Sequence, residues 1–211
     1  MSRTEKYRPL IAEGLGTALL ASAVLAASAK FGLGTAAWYV SITAGVTLGL
    51  IVALFGAVSG AHVNPAVTIG AWSLKKITTH QALLYILAQC VGGMTALFLF
   101  EYLSGDQRSS ADATRTVPAF IAESVGAAIF GMGIAASMDE SRRNGSPALI
   151  IGISLTIGAL IASTASAGFL NPAVALAHRS TYIITALAPI VGLVAGMNLY
   201  VNLFTSRSKR K

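Results

Sequence analysis

The sequence predicts an all-α membrane protein, with six transmembrane helices and two re-entrant half-helices arranged as an inverted 3+3 repeat. Three observations carry this. Hydrophobic residues make up 55% of the 211 residues and charged residues only 11%, where a soluble domain carries roughly 25% charge. Apolar stretches able to cross about 30 Å of hydrocarbon recur along the whole chain. An Asn-Pro-Ala-Val tetrapeptide occurs twice, at 64–67 and 171–174, in surroundings where an unpaired amide is costly.

The first span, PLIAEGLGTALLASAVLAASA (9–29), follows Arg3, Lys6 and Arg8. Its length suits a spanning helix better than the short apolar core of a cleaved signal peptide. Further spans are expected at 36–58, 80–103, 117–138, 147–166 and 181–204. Two more apolar segments, 64–74 and 171–179, are each only about 15 Å long if helical, half of what a crossing requires. They are too apolar for ordinary loops, so they are expected to re-enter the protein without crossing. The chain then forms a single membrane domain over 1–211, with one repeat near 9–103, a second near 117–204, and a connecting loop 104–116 on the outer side.

Charge sets the orientation. Six spans place both termini on one side, with the loop at Lys75–Lys76 and the loop DESRRNG (139–145). That side collects Arg3, Lys6, Arg8, Lys75, Lys76, Arg142, Arg143, Arg207, Lys209, Arg210 and Lys211; the other holds Lys30, Arg108, Arg115 and Arg179. The imbalance places both termini in the cytoplasm of a cell (plasma) membrane protein. It also accounts for the net charge of +7 as a topology signal, with the basic tail 207–211 near anionic lipid. No aromatic-basic interleaving accompanies it, so nucleic acid is not an expected partner.

The two halves are related. PLIAEGLGTALLASAVLAAS (9–28) parallels AFIAESVGAAIFGMGIAAS (119–137), aligning Glu13 with Glu123, and LAQCVG (87–92) parallels LAPIVG (187–192). Three spans per half is an odd number, so the second half enters from the opposite face and the repeat is inverted, with the substrate path between the halves. In each motif Asn is a strong N-cap and Pro at the first helical position loses no hydrogen bond. Two half-helices entering from opposite faces bring these N-termini together near the bilayer centre. There Asn64 and Asn171 offer amide donors beside Pro65, Ala66, Pro172 and Ala173, at two partly positive helix ends. Such a device passes neutral hydroxylic solutes and opposes cations, a hydrated proton included. A single motif of this kind reads more simply as a helix cap; the second copy, the inversion and the half-length helices together argue for a path.

SGAHVNPAVTIG (59–70) and NPAVALA (171–177), with IAEGLGT, LAQCVGG and LAPIVG in the spans, resemble the major intrinsic protein family of aquaporins and aquaglyceroporins. The resemblance covers nearly the whole chain. It implies an aquaporin-like fold, a homotetramer with one pore per subunit, Asn64 and Asn171 at the pore centre, and passive bidirectional conduction. Family members mostly carry Arg three positions after the second Asn, where this chain has Val174. The other outer-filter positions carried over by the resemblance are Ala44, Ala159 and Gly168. Small, uncharged side chains at all four positions imply a wide filter without a fixed positive charge.

Remaining polar residues have more than one reading. His178 lies four residues after Val174, on the same helix face, with Arg179 adjacent. The pair either supplies a polar handle in the outer vestibule or forms a solvated helix end suited to the negative terminus. Glu13 and Glu123 inside spans need partners. They serve either as structural acceptors for the re-entrant loops or as a proton relay. His62 is a loop-packing or mouth residue, with gating as the alternative. Gly92, Gly93, Gly192 and Gly196 permit close helix crossings. One cysteine, Cys90, excludes an internal disulfide. No catalytic triad, Cys/His cluster or phosphate loop is present, so neither an enzyme, a metal site nor a cofactor is expected.

The functional expectation is a passive channel for water and small uncharged solutes such as glycerol, with membrane lipid as its surroundings. The competing readings are a proton-coupled secondary transporter and a non-conducting structural membrane protein.

Overall fold

A computed structural model describes residues 3–31, 37–107, 116–139 and 145–205. Arg108 and Arg115 of the connecting loop, Arg142 and Arg143, and the basic tail 207–211 lie outside the described residues. Eight helices follow in order: α1 (Arg3–Phe31), α2 (Ala37–Ser59), α3 (Pro65–Ser73), α4 (Thr79–Ser104), α5 (Val117–Met138), α6 (Pro147–Ala162), α7 (Pro172–Ala177) and α8 (Ile183–Phe204). Five of them are long and apolar enough to cross a membrane.

The sequence-based boundaries need correction in three places. Helix α1 begins six residues before the expected 9 and runs through Pro9. Helix α6 has 16 residues and stops at Ala162, about 24 Å at 1.5 Å per residue. Beyond it, the amides of Ser163, Thr164, Ala165 and Ser166 bond back to carbonyls three or four residues earlier, so the expected span to 166 is completed by tight turns. Helix α7 has only six residues, against nine in α3.

Packing follows the internal two-fold. In one half α1 lies against α2 and α4; in the other α5 lies against α6 and α8. Across the halves α2 packs on α6, while each half-helix docks on the other half's last span, α3 on α8 and α7 on α4. Glycines set the approach. A Cβ on Gly92 would meet the Gly14 carbonyl, one on Gly192 the Ser124 carbonyl, and one on Gly196 the Ala128 carbonyl. A Cβ on Gly93 would lie 2.5 Å from Ala173 O. The interior is filled by residues such as Leu25, Ile51, Phe130, Leu193 and Met197, whereas Leu15, Val46, Leu87, Ile121 and Leu203 point outward. Apolar side chains on both surfaces suit a bundle whose outer solvent is lipid.

Candidate functional site: two half-helices meeting at one cavity

Each half-helix starts as its sequence dictates. Asn64 and Asn171 are extended N-caps with Pro at the first helical position. Asn64 Oδ1 accepts from the Ala66 amide at 2.8 Å, and Asn171 Oδ1 from Ala173 at 2.9 Å and Val174 at 3.4 Å. With the oxygens used in capping, the amide nitrogens face across the two-fold. Asn64 Nδ2 donates to Leu170 O, and Asn171 Nδ2 donates to Val63 O, both at 2.9 Å. Each NH2 carries two hydrogens, so each retains one beyond this cross-bond. Both residues line the same cavity.

The loops leading into the motifs are strained and are held by the two buried carboxylates. Val63 (φ 42°) and Leu170 (φ 50°) adopt left-handed backbone, which a branched side chain rarely takes. Two residues before each, Ala61 (φ 48°) and Gly168 (φ 66°) do the same. Glu13, fully buried on α1, accepts from Ser59 Oγ (2.6 Å), His62 N (2.9 Å), Val63 N (2.7 Å) and Gln89 Nε2 (2.7 Å). Glu123 on α5 repeats the pattern with Ser166 Oγ (2.8 Å), Phe169 N (3.1 Å) and Leu170 N (3.0 Å). The convergent amides hold a carboxylate much as a backbone nest does. Both acids are engaged by the loops.

The halves differ in their supporting groups. Gln89 Nε2 donates to both Glu13 Oε2 and Thr68 Oγ1 (2.9 Å); its counterpart in the aligned LAPIVG stretch is Pro189, inside α8. Thr68 Oγ1 donates to Asn64 O at 3.1 Å and lies 3.2 Å from His62 Nδ1. The His62 ring stacks edge-on against Tyr85, with centroids 5.5 Å apart. Sequence reasoning missed Gln89, Thr68 and the two serines. Ser59 and Ser166 were findable, because each lies five residues before its motif Asn.

The cavity beside the two Asn residues holds about 30 Å³ and is lined by all four outer-filter candidates, Ala44, Ala159, Gly168 and Val174, together with Phe169 and His62. Beside these small side chains, backbone approach sets the space that is left. The helices move in: a Cβ on Gly45 would strike the Gly152 carbonyl of α6, and one on Gly168 would lie 2.7 Å from Ala159 O. On the far side of His62 the path opens into a vestibule of about 730 Å³ between the ends of α2 and α5 and the start of α6.

His178 differs from both sequence-based readings, whereas Arg179 is exposed just beyond the end of α7. His178 is completely buried and absent from the cavity wall, so it neither presents a polar handle to a vestibule nor forms a solvated helix end. Its Nδ1 lies 3.0 Å from Val174 O and its Nε2 lies 3.1 Å from Ser28 Oγ on α1. Arg179 turns away to Glu101 on α4, with Nη2 to Oε1 at 2.8 Å. The i, i+4 relation to Val174 holds, but through the carbonyl.

Paired half-helices, capped and cross-bonded at their N-termini inside an inverted helical bundle, define a membrane channel. Comparison with known proteins makes this specific. The family profile described as major intrinsic protein matches residues 1–200. Aquaporin Z of Photorhabdus laumondii is 31% identical over 228 aligned positions, covering 95% of this chain and 99% of that protein. Human aquaporin-1 is 29% identical over 184, covering 80% of this chain and 68% of its own. The X-ray structure of the aquaglyceroporin from Plasmodium falciparum superposes with a TM-score of 0.71 over 96% of each chain, at 21% identity, a likeness of fold. The chain belongs to the major intrinsic protein family. It is a multi-pass membrane transport channel, not an enzyme.

Proposed function

We propose that the protein is a passive channel for water and small uncharged solutes such as glycerol, working as a homotetramer with one path per subunit in the plasma membrane and both termini cytoplasmic. The observation that carries this reading is the reciprocal bond between Asn64 and the Leu170 carbonyl and between Asn171 and the Val63 carbonyl. It fixes two amide donors at one narrow cavity, where a solute oxygen passing between them accepts from both. Pro65, Ala66, Pro172 and Ala173 start the half-helices whose N-terminal amides oppose a cation or hydrated proton. Ala44, Ala159, Gly168 and Val174 form the outer filter, set in width by backbone approach, and Glu13 and Glu123 hold the two loops. The relatives named aquaporin support water as a solute.

Stopped-flow measurements on proteoliposomes with water, glycerol and urea, with a proton-leak control, test this. The expected result is water permeability above empty liposomes, linear in the osmotic gradient and with a low activation energy. Permeability equal to empty liposomes overturns the channel reading, and flux that saturates or follows a proton gradient returns the transporter reading.

A further inference from the structure

We propose that His178 is the positioning residue of the outer constriction: it never touches the solute, but holds the Val174 backbone and the Phe169 ring where they shape the path. This rests on the channel reading above. Val174 and Phe169 both line the cavity, and His178 lies behind both. Its backbone amide is shared between Ala175 O at 3.0 Å and Val174 O at 3.2 Å, and its Nδ1 lies 3.0 Å from the same Val174 oxygen. A carbonyl only accepts, so Nδ1 carries the hydrogen and the ring holds the Val174 carbonyl directly. The imidazole ring lies against the Phe169 ring, with centroids 4.8 Å apart and the planes tilted by 46°. The far nitrogen then accepts from Ser28 Oγ on α1, 3.1 Å away and 150 residues distant in sequence, whose hydroxyl is also within 3.0 Å of Leu25 O, and α1 itself contributes Leu20 and Val24 to the cavity wall. One side chain therefore ties together three elements that bound the path.

Comparison of the halves supports a specific assignment. The position matching His178 in the first motif, counted from the Asn, is Ala71, an interior residue of the nine-residue α3. In the second half the helix ends at Ala177 and His178 caps it. The histidine thus sits where the inverted symmetry is broken, behind the one outer-filter residue, Val174, that lies within a half-helix. A purely structural plug would need volume here but not two directed hydrogen bonds.

The test compares wild type, His178→Phe, His178→Asn and Ser28→Ala in proteoliposomes, read as the ratio of glycerol to water permeability. Phe keeps the ring and removes both bonds; Asn keeps a donor near the Nδ1 position. We expect His178→Phe to raise the ratio by at least about threefold through a looser constriction, His178→Asn to stay near the wild-type ratio, and Ser28→Ala to shift it in the same direction by less. A wild-type ratio in folded His178→Phe overturns the proposal. Should that variant not fold, a wild-type ratio in Ser28→Ala overturns it instead. Wild-type protein without water permeability defeats the channel reading itself, and the proposal falls with it.

Discussion

Asn64 and Asn171 each hold the other's loop. Asn64 Nδ2 donates to Leu170 O and Asn171 Nδ2 to Val63 O at the same 2.9 Å, and each acceptor is the residue just before the partner Asn. The carbonyls come within reach because Val63 and Leu170 take left-handed backbone, and they stay there because Glu13 and Glu123 accept their amides. Capping, cross-bonding and strain are thus one arrangement repeated about a two-fold.

An acidic substitution separates capping from cross-bonding. Asn64→Asp keeps an oxygen for the Ala66 amide but sets a second oxygen against Leu170 O, acceptor against acceptor. It also places a negative charge at the cavity wall. The expected outcome is a lower melting temperature in detergent, from loss of a buried hydrogen bond costing about 1–3 kcal/mol, and a raised proton leak in liposomes. Asn171→Asp is expected to match it. A leak confined to one of the two variants would contradict the two-fold equivalence.

The carboxylates are predicted to matter for stability and not for coupling. Glu13→Gln and Glu123→Gln each leave at least one loop donor facing an NH2 group, a penalty of about 1–3 kcal/mol. Glu13→Gln should be the milder. Gln89 Oε1 is buried without a partner, and turning that amide presents it to the new donor, whereas Pro189 offers Glu123 no such relief. Thermal unfolding of the solubilised variants ranks them. In both, solute flux through the folded protein should stay independent of a proton gradient, which a proton relay would not allow.

Helix crossings give a steric prediction with an internal control. Gly192→Ala drives a methyl into the Ser124 carbonyl and to 2.8 Å from Ala127 Cβ. Backbone on both sides must separate, so the variant is expected to lose about 3 kcal/mol or fail to fold. Gly56→Ala meets only Val52 Cγ1 at 3.7 Å, an ordinary contact. It should be neutral or gain up to about 1 kcal/mol from helix propensity. Size-exclusion profiles and melting temperatures distinguish the two.

What was legible in the sequence is what local chemistry forces. Asn-Pro pairs announced helix starts, and a carboxylate within the first span of each half announced a partner, because an unpaired one is too costly in lipid. The matching of Glu13 with Glu123 carried the repeat, and three spans per half carried its inversion. Gln89 was not legible, since the repeat offers Pro189 in its place and only the fold brings it to Thr68. His178 was misplaced for a similar reason. Its i, i+4 relation to Val174 is a local fact, but its depth is decided by Ser28 and Phe169, which approach from other segments. Filter width escaped because it depends on backbone approach at Gly45, Gly152 and Gly168 and not on side-chain size alone.

That last dependence can be inverted. Ala44 on α2 and Ala159 on α6 face the same cavity, and the helices carrying them are already drawn close at Gly45 and Gly152. A larger side chain at 44 cannot be accommodated by separating α2 from α6 without breaking that contact, so it must enter the path. Ala44→Phe is therefore expected to lower glycerol permeability more than water permeability, because glycerol needs the greater width and water still passes in single file. Stopped-flow light scattering on matched liposomes gives both rates from one preparation. A drop of equal proportion in the two would mean that the ring blocks the path outright, and an unchanged glycerol rate would place the narrowest point away from α2.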